Sequence, residues 1–170
     1  TLGYVHGLAL SAAIAGENLS AQGAVATGLV FSLGEAYAGY RYGLNSNITE
    51  GTARLMTTGG WYGLGIGSMV GMLTFRDIDN LDQVEDADRE FRTMSALGLA
   101  GSITGIYAGN RFAQGRDYSL GDASVLATVG GLGAYTGLTA AMLAEPSFKG
   151  GVGLVLVGTV SGLAAGYALT

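Results

Sequence analysis

The chain of 170 residues has no cysteine, one proline, one histidine and one lysine. Without cysteine it can form neither disulfides nor thiolate metal sites, and nothing constrains its redox compartment. A single histidine, His6, excludes a multi-histidine metal centre and makes any Ser–His–Asp triad depend on that one side chain. A packed or interfacial histidine is the expected role. Charge is scarce as well: charged residues make up 12% of the chain, about half the usual share. The net charge of −5 excludes a nucleic-acid backbone as partner, because that would require a basic face. The acids are also concentrated. Asp77, Asp79, Asp82, Glu85, Asp86, Asp88 and Glu90 hold seven of the thirteen.

In place of charge stand 31 glycines and 24 alanines. Six segments carry almost no charge: 1–16, 18–40 with Glu35 as its exception, 55–75, 93–110, 123–144 and 150–170. Runs of this length without proline are longer than ordinary strands and predict helices. A β-barrel would need apolar/polar alternation over about ten residues, and Leu126-Ala127-Thr128-Val129-Gly130-Gly131-Leu132-Gly133 does not alternate. Thr49 and Ser119 stand where N-caps are needed, and Ser119-Leu120-Gly121-Asp122 has the form of a capping box with Asp in the Glu position. Gly43 and Gly115 are placed for left-handed C-caps.

Glycine inside a helix costs close to 1 kcal/mol against alanine, so packing has to return that energy. Spacing suggests how. Gly63, Gly67 and Gly71 recur every four residues, as do Gly101, Gly105 and Gly109, and again Gly158, Gly162 and Gly166. Gly60, Gly130, Gly133 and Gly137 join them as candidate packing positions. A face without side chains lets a neighbouring backbone approach closely, the arrangement of a glycine zipper.

The sequence also repeats itself at an interval of 70 residues. From Ala26–Leu73 to Ala96–Leu143, 16 of 48 positions are identical without a gap. Gly3 to Ala12 reads like the second half of such a unit, and Gly162 to Gly166 like the first half of another. The expected fold is therefore all-α: a single domain of tandem helical-hairpin repeats, about six helices, packed through glycine-zipper faces. Its divisions are a half unit 1–17, units 18–87 and 88–147, and a half unit 148–170. With no initiator Met and no charged leader before Thr1-Leu2-Gly3-Tyr4, the chain reads as an excerpt or a processed product.

Runs of this length match the hydrocarbon core of a bilayer at 1.5 Å per residue. A soluble hairpin repeat would show Glu, Lys or Arg along its outer face, and 123–144 shows none. The Ala, Gly, Thr and Ser content is high for lipid contact, which leaves a non-membrane repeat, secreted or periplasmic, stacking into an oligomer or filament, as the alternative. Arg41, Arg54, Arg111 and Arg116 against Glu50, Asp117 and Asp122 give the 41–54 and 111–122 loops the positive bias of a cytoplasmic side. Tyr37, Tyr40, Tyr42, Tyr107, Phe112 and Tyr118 near helix ends suit an interfacial belt or plugs at the open ends of a glycine-lined interface.

Candidate functional residues are few. Glu35 is the one acid inside an uncharged run, and in lipid it would be a proton or ion contact of a channel or transporter; otherwise it is an exposed or Arg-paired glutamate. Its counterpart at the 70-residue interval is Gly105, so it lies outside the repeated framework. Arg41 and Arg111 are a repeated pair suited to bonding the last carbonyls of a helix, or else to an anionic partner, and Gly51 and Gly121 are a second repeated pair with a shared structural job. Asp77-Ile78-Asp79-Asn80-Leu81-Asp82 fails the EF-hand pattern, since Asp82 stands where Gly is required. The glycine clusters 63–67 and 131–133 lack the phosphate-loop patterns, and no cofactor, metal or small-molecule substrate is evident. Asn18-Leu19-Ser20 and Asn47-Ile48-Thr49 are formal glycosylation sequons.

In composition, sets of such helices resemble the mitochondrial inner-membrane translocase family with its four Gly-rich spans. The interval from Arg116 to Asp122 exceeds that family's Arg–Asp spacing, so the resemblance stops at composition. The function expected is non-enzymatic: a structural or scaffolding helical repeat in or on a membrane, its partners further copies or repeats of itself and lipid.

Overall fold

Hydroxyl side chains set where four of the helices begin. Ser20, Thr49, Ser119 and Ser147 each accept a hydrogen bond from the backbone N–H three residues on, at 3.1, 3.1, 3.2 and 3.4 Å, satisfying donors that a helix start leaves unpaired. At Ser119 the capping box is complete, with the Ser119 N–H donating back to Asp122 Oδ2 at 2.9 Å. The computed structural model describes residues 2–46, 48–75, 84–114 and 116–170. Within them lie six helices and no strand: α1 (Leu2–Ala15), α2 (Ala21–Asn45), α3 (Glu50–Leu73), α4 (Val84–Ala113), α5 (Leu120–Ala144) and α6 (Phe148–Leu169). One 3₁₀ turn, Gly16–Asn18, follows α1, and Gly16 takes the left-handed φ of +54° that ends that helix.

Gly43 does not end α2. The helix runs on to Asn45, where Asn45 Nδ2 and Ser46 Oγ donate to the carbonyls of Arg41 and Tyr42 at 2.9 and 2.6 Å. These side chains satisfy the last turn without a left-handed glycine. The second expected glycine cap, Gly115, lies outside the described residues, as does the 77–82 acidic run. Besides Gly16, the left-handed residue that ends a helix among the described residues is Glu145, at φ 44°, after α5.

The helices pack in antiparallel pairs, α1 with α2, α3 with α4, and α5 with α6, while α1 also rests on α4 and α3 on both α5 and α6. Among the described residues the backbones of α2 and α3 do not come together, nor do those of α4 and α5. In sequence the 70-residue interval sets 26–73 against 96–143, whereas the packing joins α3 to α4 across the division expected between 87 and 88. The pairing has a physical reason: the glycines that permit close approach face across that division. A Cβ on Gly63 would collide with the carbonyl oxygen of Gly101, one on Gly105 with that of Gly59, and one on Gly109 would lie 2.7 Å from the Leu55 carbonyl oxygen. Between α5 and α6 a Cβ on Gly162 would stand 2.6 Å from the Val129 oxygen, and one on Gly137 would be 2.8 Å from the Val155 Cα. No real side chain fits at such distances without a shift of the facing backbone.

The small apolar core joins the α3–α4 pair to the α5–α6 pair. Leu55, Ala113, Tyr118, Ala123 and Leu126 are buried together, with Leu163 and Tyr167 against them. Much of the remaining apolar surface faces outward, including Leu132, Tyr135, Met142 and Leu143 of α5 and Val157, Val160 and Leu169 of α6.

Candidate functional site

A helix built largely from Gly, Ala and apolar residues offers no partner for a charge, so the few polar side chains on the inner faces have to satisfy one another. Helix α1 carries His6 on the face that meets α2 and α4. There His6 Nδ1 bonds Glu35 Oε1 from α2, and His6 Nε2 lies 2.6 Å from Ser102 Oγ of α4. Ser102 in turn donates to the Gly60 carbonyl of α3 at 2.8 Å. Four helices are joined by one chain of hydrogen bonds. His6 and Ser102 are fully enclosed, while the Glu35 side chain keeps 38% of its surface.

Counting hydrogens fixes the direction of the Ser102 bonds. A serine hydroxyl has one hydrogen, and here it goes to Gly60, so Ser102 accepts from His6 and Nε2 carries a proton. Nδ1 faces the Glu35 carboxyl, the second partner of the ring.

The order Glu–His–Ser is that of a nucleophilic triad, but the geometry is not. Ser102 Oγ is enclosed, its proton is committed to a backbone carbonyl, and it is absent from the lining of the adjacent cavity. A substrate carbonyl has no approach to it here. The cavity itself, about 730 Å³, is lined by His6 and Glu35 together with Leu2, Phe31, Tyr42 and Ile103 among others.

The thirteen glycines singled out by spacing all lie at contacts: at each, a Cβ would come to 3.0 Å or less from another helix or one of its side chains. Gly60 meets Leu2 of α1 and Gly130 meets Leu163 of α6, and the rest face the backbone of their antiparallel partner. Spacing missed Gly59 and the α1–α2 set, Gly3, Gly7 and Gly28, although Gly3 and Gly7 stand four apart and carry the same signal. Gly51 and Gly121, equivalent in sequence, differ in structure. A Cβ on Gly51 would collide with the Tyr118 carbonyl, whereas Gly121 meets only its own cap, Ser119, at 3.4 Å.

The arginines also redistribute. Arg111 bonds Gln114 Oε1 at 2.7 Å rather than terminal carbonyls, and Arg41 stands on the exposed end of α2. The carbonyl-bonding role falls to Arg92 of α4, which donates to Ile14 and Ala15 at the end of α1, at 2.9 and 3.3 Å, while pairing with Asp88 at 2.8 Å. No motif marks Arg92, because its acceptors lie 77 and 78 residues away. Glu35, foreseen as an ion contact or an exposed or Arg-paired acid, is paired with histidine.

A second cavity, about 610 Å³, runs between α3, α4 and α6 and is almost wholly apolar. Among the described residues no cluster of His, Cys, Asp and Glu suited to a metal ion occurs. No family model matches the chain, and neither a curated protein nor a solved structure matches it.

Proposed function

We propose that this chain is a membrane-embedded, non-enzymatic scaffold, a tandem of helical hairpins held together through glycine-zipper faces. The observation that carries the proposal is the outward surface of α5 and α6. Both are long and apolar enough to cross a bilayer, at 25 and 22 residues, yet only 17% of the most apolar stretch of each is buried. The core helix of a water-soluble protein has the same composition but is covered; these two are not. Their lengths, roughly 37 and 33 Å at 1.5 Å per residue, exceed the hydrocarbon thickness of about 30 Å. In lipid the outward Leu132, Met142 and Val157 have the environment they need, and close backbone contact supplies the association that the hydrophobic effect does not drive there.

Extraction tests the reading. The chain expressed in a membrane-bearing host is expected to need detergent for release and to aggregate when detergent is removed. A chain that stays monodisperse in plain buffer, or that forms a defined soluble oligomer or filament, sinks the membrane reading in favour of a non-membrane stacking repeat.

A second reading rests on the His6–Glu35 pair. A hydrogen-bonded histidine–glutamate pair on the wall of a cavity is suited to pass a proton or contact an ion, which would make the protein a channel or transporter component with Glu35 in the pathway. Proton flux into vesicles that Glu35→Gln abolishes would favour it over the scaffold.

A further inference from the structure

The apolar cavity between α3, α4 and α6 is a long groove with almost no polar lining. It runs from Leu55 to Gly67 along α3, a rise of roughly 18 Å. One leaflet of a hydrocarbon core is about 15 Å deep. Its volume of about 610 Å³ falls within the usual range for a ligand site.

The two ends of this groove differ. Ile66 and Gly101 line one end, with nothing charged among the lining residues. At the other, Phe112 and Tyr167 meet with ring centres 5.2 Å apart, and the Arg116 guanidinium lies over the Tyr167 ring at 5.1 Å. Among the described residues no carboxylate pairs with Arg116. The close approach of Gly51 to the Tyr118 carbonyl brings the start of α3 to the same end.

We propose that this groove holds one acyl chain of an anionic phospholipid, its phosphate at Arg116. The proposal rests on the membrane reading above. Length and lack of polarity select a lipid tail, and the cation at one end selects a negative headgroup. The aromatic pair stands at the level where such rings meet headgroups.

Native mass spectrometry of the detergent-purified full chain, with dioleoyl phosphatidylglycerol and dioleoyl phosphatidylcholine at equal concentration, tests it. The wild type is expected to retain one phosphatidylglycerol per chain, about fivefold over phosphatidylcholine. Arg116→Gln brings that ratio to about one. Ala164→Phe, which fills the groove from its exposed side, lowers retention of both lipids while helicity and melting stay those of the wild type. Retention of neither lipid by the wild type, or an unchanged ratio in Arg116→Gln, overturns the proposal. So does equal binding of glycerol phosphate, which would make the end an anion site without a tail groove. Failure of the membrane reading is seen separately, as monodispersity without detergent, which this measurement does not read.

Discussion

Gly63 and Gly101 face each other so closely that a Cβ on either would collide with the other's carbonyl oxygen. The contact is reciprocal and lies between backbones, so no side-chain rotation relieves it. Gly63→Ala is therefore expected to destabilise the protein by about 3 kcal/mol or more, at the upper end of overpacking costs. Gly65, two residues on, faces open space, with nothing within 4 Å of where its Cβ would stand. There the better helix propensity of alanine is unopposed, and Gly65→Ala is expected to stabilise by up to about 1 kcal/mol. Thermal unfolding followed by helical circular dichroism reads both. Equal effects of the two substitutions would mean that Gly63 is not at a close backbone contact.

The hydrogen-bond chain through His6 makes a different demand. Ser102→Ala leaves the His6 Nε2 proton and the Gly60 carbonyl without their partner in an enclosed site, at an expected cost of about 1–3 kcal/mol. Removing His6 and Glu35 together, as His6→Phe with Glu35→Leu, is expected to cost less than the sum of the two single changes, because neither partner is then left alone. Strict additivity in that double-mutant cycle would show that the pair is not coupled.

Arg92 ties the end of α1 to α4. Arg92→Ala removes two bonds to the Ile14 and Ala15 carbonyls and the Asp88 pair, and is expected to let the last turn of α1 fray. Amide hydrogen exchange over residues 12–18 should quicken at least tenfold while α5 and α6 exchange as before. Unchanged protection there would show that Arg92 does not hold the end of α1.

Much of the helix pattern is legible in the sequence because apolar runs and cap residues are local signals. Ser119 and Asp122 announce their capping box three residues apart. The limits of the helices are less legible where charge takes part. Helix α4 begins at Val84, nine residues before the uncharged run at Thr93, because Asp88 and Arg92 pair one turn apart and charged residues form a helix as readily as apolar ones. The 70-residue interval likewise relates stretches of sequence, but does not show that α3 packs on α4. That depends on which glycine faces meet. The His6–Glu35–Ser102 chain is the least legible of all. Its members are 29 and 96 residues apart, and Ser102 differs in no local way from the other serines until the helices are assembled.

The cap of α5 should carry a pH signature. Asp122 stands before the uncharged stretch that opens at Ala123, and the Ser119 N–H, followed by the Ser119 hydroxyl, holds its carboxyl below the ordinary aspartate value. A lowered value in the folded state means that this contribution is fully present above the unfolded-state value and is lost as pH falls through the lowered one. Protection of the first-turn amides of α5 should therefore decline only in that acid window. Asp122→Asn should flatten the decline, and an unchanged acid profile in that variant would assign it to another group.

If α5 and α6 cross a membrane with their outward faces in lipid, the two ends of α5 lie on opposite sides of it, and sidedness is the most direct test. The absence of cysteine makes single-cysteine labelling free of background. Asp117→Cys, ahead of α5, and Glu145→Cys, at the turn into α6, should react with an impermeant maleimide from opposite sides of sealed vesicles, one in intact vesicles and the other only after the membrane is opened. Labelling of both positions from the same side of intact vesicles would contradict a membrane-spanning α5.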